Sequence, residues 1–208
     1  MFDRAHETAG MLLRVGAVAI NTRNPFTYAS GITSPIYTDN RLLISFPEER
    51  NRITNLLATA AEESVGLENV EVVAGTATAG IPFAAWLAHR LQKPMVYVRS
   101  SAKDHGRGRQ IEGQLAPGQR VAVVEDLITT GGSSLATADV LVANGATVCC
   151  CLAIFSYELE RASRAFAQRG IPLVPLTTLR VLLQVAVEGN FIQPADVQAV
   201  LDWSAGLE

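Results

Sequence analysis

From Gln119 to Ala146 the chain reads QRVAVVEDLITTGGSSLATADVLVANGA. The run from Val121 to Val124 is apolar without alternation, as in a strand buried on both faces. It runs straight into Glu125 and Asp126, then Thr129, Thr130, Gly131, Gly132, Ser133 and Ser134, after which apolar residues recur at helical spacing. Adjacent carboxylates at the mouth of a buried strand repel each other and resist desolvation, so something has to compensate them. A ligand rich in hydroxyls or carrying a metal is one candidate. The glycines let the backbone turn with its amides pointing inward, the helix start adds partial positive charge, and the hydroxyls add donors. Together these make a nest for one phosphate monoester. A sugar attached to that phosphate lies back over the strand end, where Glu125 and Asp126 accept hydrogen bonds from neighbouring sugar hydroxyls. They also favour positive charge developing on the sugar ring. A glycine-rich turn with one capping acid would explain Gly131-Gly132 alone; the paired acids and the hydroxyls favour a ligand.

Outward from this stretch the pattern becomes a rhythm. VEVVAG, PMVYVR, RVAVVED, TVCCCLAIF and IPLVPL read as strands, alternating with helices in GIPFAAWLAHRL, SSLATADVLVANG and ELERASRAFAQRG; the rest reads as helical to Trp203. Upstream, apolar residues at helical spacing run from Arg4 to Ile20, followed by a hairpin-like excursion in NPFTYASGITSPIYTDNRLLISF. Ser45-Phe46-Pro47-Glu48 fits a capping box opening a helix that reaches about Ser64. Apolar strands alternating with helices predict an α/β fold, a mostly parallel central sheet flanked by helices on both faces. Ligands of such sheets bind beyond the carboxyl ends of the strands. Three unusual polar clusters fall there: GTATAG, RSSAKDHGRGRQIEG and EDLITTGGSS.

The third cluster is not a P-loop, since G-x-x-x-x-G-K-[ST] is absent, and no G-x-G-x-x-G follows a strand. The segment from Arg99 to Gly113 has no strand or helix pattern and is either a functional lid or a solvated loop. The lid is favoured by Lys103, one of only two lysines in the chain, which lies beside His105 and between Arg99 and Arg107. Closing such a lid on a polyanion excludes water and neutralises a leaving group. GTATAG is fully explained by a tight strand-to-helix turn, though its location lets it offer amides to a second phosphate. His6 and His89 lie in helical patterns and read as surface or helix-end residues.

The 208 residues, 49% hydrophobic and 18% charged, allow one sizeable core. A net charge of −3 argues against a nucleic-acid or membrane-surface binder. There is no apolar run of about 18 residues, so no membrane span is expected. Acidic Asp3 and Glu7 and the interrupting Arg14 do not fit a secretion signal, so a cytoplasmic location is expected. Cys149 to Cys151 are consecutive; strand neighbours point to opposite faces, which suits small core residues better than a disulfide framework. No metal-ligating protein residues are assigned.

VAVVEDLITTGGSS resembles the phosphoribosyl-pyrophosphate (PRPP) motif of type I phosphoribosyltransferases. FTYASGITSPIYTDNR, VAGTATAGIPFAAWLA, YVRSSAKDHGRGRQIEG and FSYELE extend the resemblance over nearly the whole chain, to the orotate phosphoribosyltransferase family. The resemblance implies a single type I phosphoribosyltransferase domain over 1–208, with about 1–45 forming a small base-binding hood and 100–113 a mobile catalytic loop. It implies transfer of ribose 5-phosphate from PRPP to N1 of orotate, giving orotidine 5′-monophosphate and pyrophosphate in UMP biosynthesis. Mg²⁺ bound mainly through PRPP is implied, as is a homodimer whose loops reach the partner's site. By position, Arg99, Lys103 and His105 correspond to pyrophosphate contacts. Glu125, Asp126, Leu127, Ile128, Thr129, Thr130, Gly131, Gly132 and Ser133 correspond to the ribose 5-phosphate cradle. Thr129, Ser30, Gly31 and Tyr37 correspond to orotate contacts, and Lys103, His105 and Asp126 carry the catalytic expectation. Ala29, Thr33, Ala79, Ser100 and Tyr157 stand uncharged where family members often carry a basic residue. The rival readings are a purine phosphoribosyltransferase, against which SGITSPIY argues, and a PRPP-sensing regulator, for which no basic face or winged-helix segment is visible.

Overall fold

The computed structural model describes residues 3–27, 31, 33–100 and 110–207. The chain opens with α1 (Arg4–Arg14), capped by the Asp3 carboxylate, which accepts from the Ala5 and His6 amides. Four short strands follow: β1 (Val18–Ile20), β2 (Phe26–Thr27), β3 (Thr33–Ser34) and β4 (Ile36–Thr38). A 3₁₀ segment (Asn40–Ser45) leads into α2 (Pro47–Val65). Next come β5 (Val72–Thr76), α3 (Gly80–Leu91), β6 (Met95–Val98) and β7 (Ile111–Glu112). The chain continues through β8 (Arg120–Ile128), α4 (Gly132–Ala143), β9 (Thr147–Ser156), α5 (Glu160–Gln168) and β10 (Leu173–Thr178) to α6 (Leu179–Glu188) and α7 (Pro194–Ala205).

The central sheet has the order β10-β9-β8-β5-β6-β7. Its pairings are parallel except for β7, which runs antiparallel to β6. All five residues of β5 are buried, as are the last seven of β9, because helices cover both faces. From β5 the chain moves outward to β6 and then returns to the other side of β5 as β8. This reversal of strand order opens a crevice between the carboxyl ends of β5 and β8, where open α/β sheets hold their ligands. Two small antiparallel sheets, β1 with β4 and β2 with β3, form the N-terminal excursion.

Several expectations are corrected. The helix beginning at Arg4 stops at Arg14, and after Gly16 (φ +74°) the chain enters β1, so Val18 to Ile20 are extended. The apolar spacing continues because both elements bury residues against the same core. Ser45 does not cap α2: the N-cap is Phe46, with no side-chain bond. Pro47 at the start has no N–H to satisfy, and Glu48 and Glu49 supply the first-turn negative charge instead. Strand β8 does not stop at the acid pair but carries on through Leu127 and Ile128, which pair with Phe155 and Ser156 of β9. The segment from Arg99 to Gly113 is not wholly irregular, since Ile111 and Glu112 pair with Val98 and Tyr97.

Candidate active site

The acid pair lies near the carboxyl end of β8. Glu125 is 4% exposed. Its Oε2 accepts from Ser133 Oγ at 2.9 Å, and its Oε1 accepts the Asp126 amide at 3.2 Å. Burial, reinforced by the neighbouring Asp126 charge, pushes the Glu125 carboxyl up to about 8. Burial also raises Asp126, opposed by hydrogen bonds with Glu125 and with backbone amides and by the charge of Arg41. Both acids are therefore held short of their hydration needs, a condition that hydroxyl donors or positive charge would relieve.

Asn40 fixes the other side of this strand end. It is fully buried, and its Nδ2 donates to the Asp126 carbonyl at 2.7 Å. Nothing in the sequence singles it out, because an asparagine after an aspartate reads as a turn former. Arg41 is anchored by Asp39, which accepts from its Nε at 2.6 Å and Nη2 at 2.8 Å.

Beyond the acids, Leu127 is half-buried and Ile128 fully buried. The Ile128 carbonyl accepts the Tyr157 amide at 2.9 Å, and neither of these two expected cradle residues carries a polar side chain. Thr129 and Thr130 form the bend before α4 and are half-buried, while Gly132 and Ser133 are exposed. Gly131, the N-cap of α4, has φ +77°, and no side chain caps the helix. A Cβ on Gly131 would also lie 2.6 Å from Phe166 Cε2, so both backbone and space demand glycine. The uncapped first-turn amides are available to an anion.

Across the crevice, β5 turns into α3 through Ala77–Thr78, a cis peptide bond. Gly80 lets α3 start directly against β8; a Cβ there would lie 2.4 Å from the Val124 carbonyl oxygen. A cavity of about 170 Å³ lies between the ends of β5 and β6 and the start of α4, lined by Thr76, Arg99, Gln110, Ser133 and Thr137 among others. Thr76 Oγ1 and Asn40 Oδ1 are buried with no hydrogen-bond partner among the described residues. Arg99 is part-exposed, 3.7 Å from Glu112 Oε1, and its amide donates to the Gln110 carbonyl. Ser30, Lys103, His105 and Arg107 lie outside the described residues.

In the N-terminal excursion Gly31 has φ +83°, and Tyr37 on β4 is 38% exposed, tilted against Phe26 with centroids 5.8 Å apart. Thr38 Oγ1 lies 3.2 Å from the Tyr157 hydroxyl. Tyr157 is 6% exposed and packs edge-on to Phe155 and Trp203, so it is part of the core rather than a substitute for a basic side chain. The structure thus brings Arg99, Glu125, Asp126 and the loop Thr129–Ser133 to one crevice, with Asn40 linking it to the strand bearing Tyr37.

Residues 48–173 match the phosphoribosyl transferase domain family. Over 199 residues the chain is 49% identical to the orotate phosphoribosyltransferase of Enterococcus faecalis, covering 96% of this chain and 94% of that one. The chain belongs to the orotate phosphoribosyltransferase family. Another orotate phosphoribosyltransferase, from Bacillus caldolyticus, is 46% identical, with 95% of each chain covered. Among solved structures, the family member from Aeropyrum pernix superposes with a TM-score of 0.74 at 37% identity, covering 85% of this chain and 96% of that one. The UMP synthase of Leishmania donovani superposes with a TM-score of 0.79 at 26% identity, with 95% of this chain matching 42% of that one. Family membership and the type I phosphoribosyltransferase fold agree with what the PRPP-like motif implied.

Proposed function

We propose that this chain transfers ribose 5-phosphate from PRPP to N1 of orotate, releasing pyrophosphate and forming orotidine 5′-monophosphate for UMP synthesis. The observation that carries the proposal is the juxtaposition of an acid pair, Glu125 buried and Asp126 half-buried, with an uncapped helix start at the point where strand order reverses. The family of the chain supports orotate as the acceptor.

The α4 amides and the hydroxyls of Thr129, Thr130 and Ser133 hold the 5-phosphate. Asp126 and Glu125 accept from the ribose hydroxyls and favour the oxocarbenium-like ring that forms as the C1′–oxygen bond to pyrophosphate breaks. Orotate N1 is already acidic, so its lone pair attacks C1′ without a covalent enzyme intermediate. Arg99, with Lys103 and His105 by resemblance, meets the charge building on pyrophosphate. Tyr37, Gly31 and Ser30 belong to the base-binding side.

Among the described residues no three His, Cys, Asp or Glu side chains converge as a metal cage, and the two carboxylates at the crevice suit a cation that arrives with its substrate. Bound in that way, Mg²⁺ would supply charge neutralisation at the leaving group, with Asp126 and Glu125 as the nearby protein carboxylates. A cytoplasmic homodimer with shared loops completes the proposal. No helix among the described residues is long and apolar enough to cross a membrane.

The test is the ultraviolet loss of orotate. Orotate should disappear only with PRPP and Mg²⁺ together, with pyrophosphate appearing in equal amount. Faster consumption of hypoxanthine, adenine or uracil would overturn the assignment. Asp126→Asn, nearly isosteric, should keep the fold and lower kcat/KM for PRPP by about 10-fold or more; an unchanged value removes the ribose-hydroxyl role.

A further inference from the structure

The proposed transfer brings together two groups held by different parts of the chain: the base, on the side of Tyr37 and Gly31, and the sugar, over the acid pair of β8. Reacting atoms have to meet at about 3 Å, and a misplacement of about 1 Å costs about 10²-fold in rate. The excursion of residues 18–45 therefore has to be fixed against the end of β8. β5 pairs with β8 as far as Val124, so Asp126 lies beyond that ladder. Its carbonyl accepts from a side chain of the excursion, Asn40 Nδ2, at 2.7 Å.

Asn40 is itself held in place. It opens the 3₁₀ segment, whose cap Asp39 accepts the Arg41 amide on its side chain at 3.1 Å and the Leu42 amide on its carbonyl at 3.2 Å. The Asp39 amide donates to the Ala17 carbonyl at 2.7 Å, and Thr38 and Tyr37 pair with Val18 and Ala19. A stretch of fixed backbone thus runs from Tyr37 to the side chain that meets Asp126. Packing alone would favour an apolar residue here. Asn40 is wholly buried, yet its Oδ1 has no hydrogen-bond partner among the described residues, a costly state for an amide. Turning the amide over would set Oδ1 against the Asp126 carbonyl oxygen, so Asp126 dictates its orientation.

We propose that Asn40 is a positioning residue for the transfer: through the Asp126 carbonyl it sets the distance between the base-binding excursion and the acid that handles the ribose. It acts through Asp126 and touches neither substrate, since none of its surface is exposed. The inference rests on the proposed function, which supplies the two halves that have to meet. Its signature is a loss in the reacting complex that is larger than any loss in PRPP binding.

Asn40→Leu keeps the shape of the side chain and removes both the donor and the orphaned acceptor. In the full-length variant kcat should fall about 10- to 100-fold while KM for PRPP stays within about 3-fold of wild type. An unchanged kcat overturns the proposal, as does a KM that rises in step with the loss of kcat. Hydrogen exchange read by mass spectrometry gives a second measure that needs no turnover. PRPP with Mg²⁺ should slow exchange of amides 36–43 in the wild type, and the slowing should vanish in Asn40→Leu although PRPP still binds. Slowing that persists in the variant overturns the proposal. Should Asn40→Leu not fold, Asn40→Asp, of the same shape without the amide donor, takes both measurements. Should neither fold, the wild type decides: amides 36–43 slowed by PRPP support the role, and amides untouched by it overturn the role. A wild type that binds PRPP without consuming orotate overturns the orotate assignment instead, and the exchange comparison then judges Asn40 by itself.

Discussion

Glu125 couples the stability of the protein to pH in an unusual direction. Its carboxyl is raised from 4.5 to about 8, so the folded chain keeps this proton where the unfolded chain has lost it. A group raised in this way makes stability fall as pH climbs from its unfolded to its folded value, and the loss levels off above that. Glu125→Gln removes the titration and retains an acceptor for Ser133. The variant should match the wild type near pH 4.5 and become the more stable protein by about pH 8.5, by an amount of the order of a few kcal/mol. Chemical denaturation at both values checks this; an advantage that does not grow with pH would show that burial is not straining the carboxyl. The adjacency of Glu125 and Asp126 is legible in the sequence as a polar anomaly in an apolar run, and so is its need for compensation. Asn40, which donates to the Asp126 carbonyl across 86 residues of chain, is not, because one buried asparagine leaves no periodic trace.

At the scale of elements, α3 and α4 can be read almost to the residue, since each lies between a glycine-bearing turn and a run with helical spacing. What escapes is structure decided by neighbours. β7 is two residues long and exists only because β6 offers an edge, and β1 is extended only because β4 pairs with it. The end of β8 is obscured by its own chemistry, as charged residues usually mark a strand's exit and here lie within it. The turn into α4 permits a sharper test. Gly131 combines φ +77° with a Cβ position 2.6 Å from Phe166, whereas a Cβ on Gly132 finds its nearest neighbour, Thr130 Oγ1, at 3.7 Å. Gly131→Ala should therefore destabilise the protein by about 1–3 kcal/mol and weaken PRPP use, while Gly132→Ala should leave the fold within about 0.5 kcal/mol of wild type. Thermal melts of the two variants side by side measure the contrast, and equal shifts would mean the turn is less constrained than its geometry requires.

At the scale of the whole molecule, the proposed sharing of loops between subunits has a direct test. Lys103→Ala and Asp126→Asn chains, each impaired alone, should together exceed the activity of either when mixed, because a hybrid dimer holds one site with both residues intact. Native mass spectrometry establishes that hybrids form; confirmed hybrids no more active than either parent would place the loop in its own chain's site. Within one chain, the N-terminal excursion is held from the opposite end of the sequence. Trp203 Nε1 donates to the Thr33 carbonyl at 3.0 Å, and Thr22 Oγ1 donates to Asp196 at 2.5 Å, contacts that span 170 and 174 residues. These long-range ties set an order of events on the ribosome. The first strands to emerge must wait for α7 before they can settle, while the sheet and the turn into α4 need nothing beyond β10. Under the proposed function, a nascent chain halted before α7 would thus carry the sugar-phosphate cradle under an unfinished roof, with choice of the base waiting on α7.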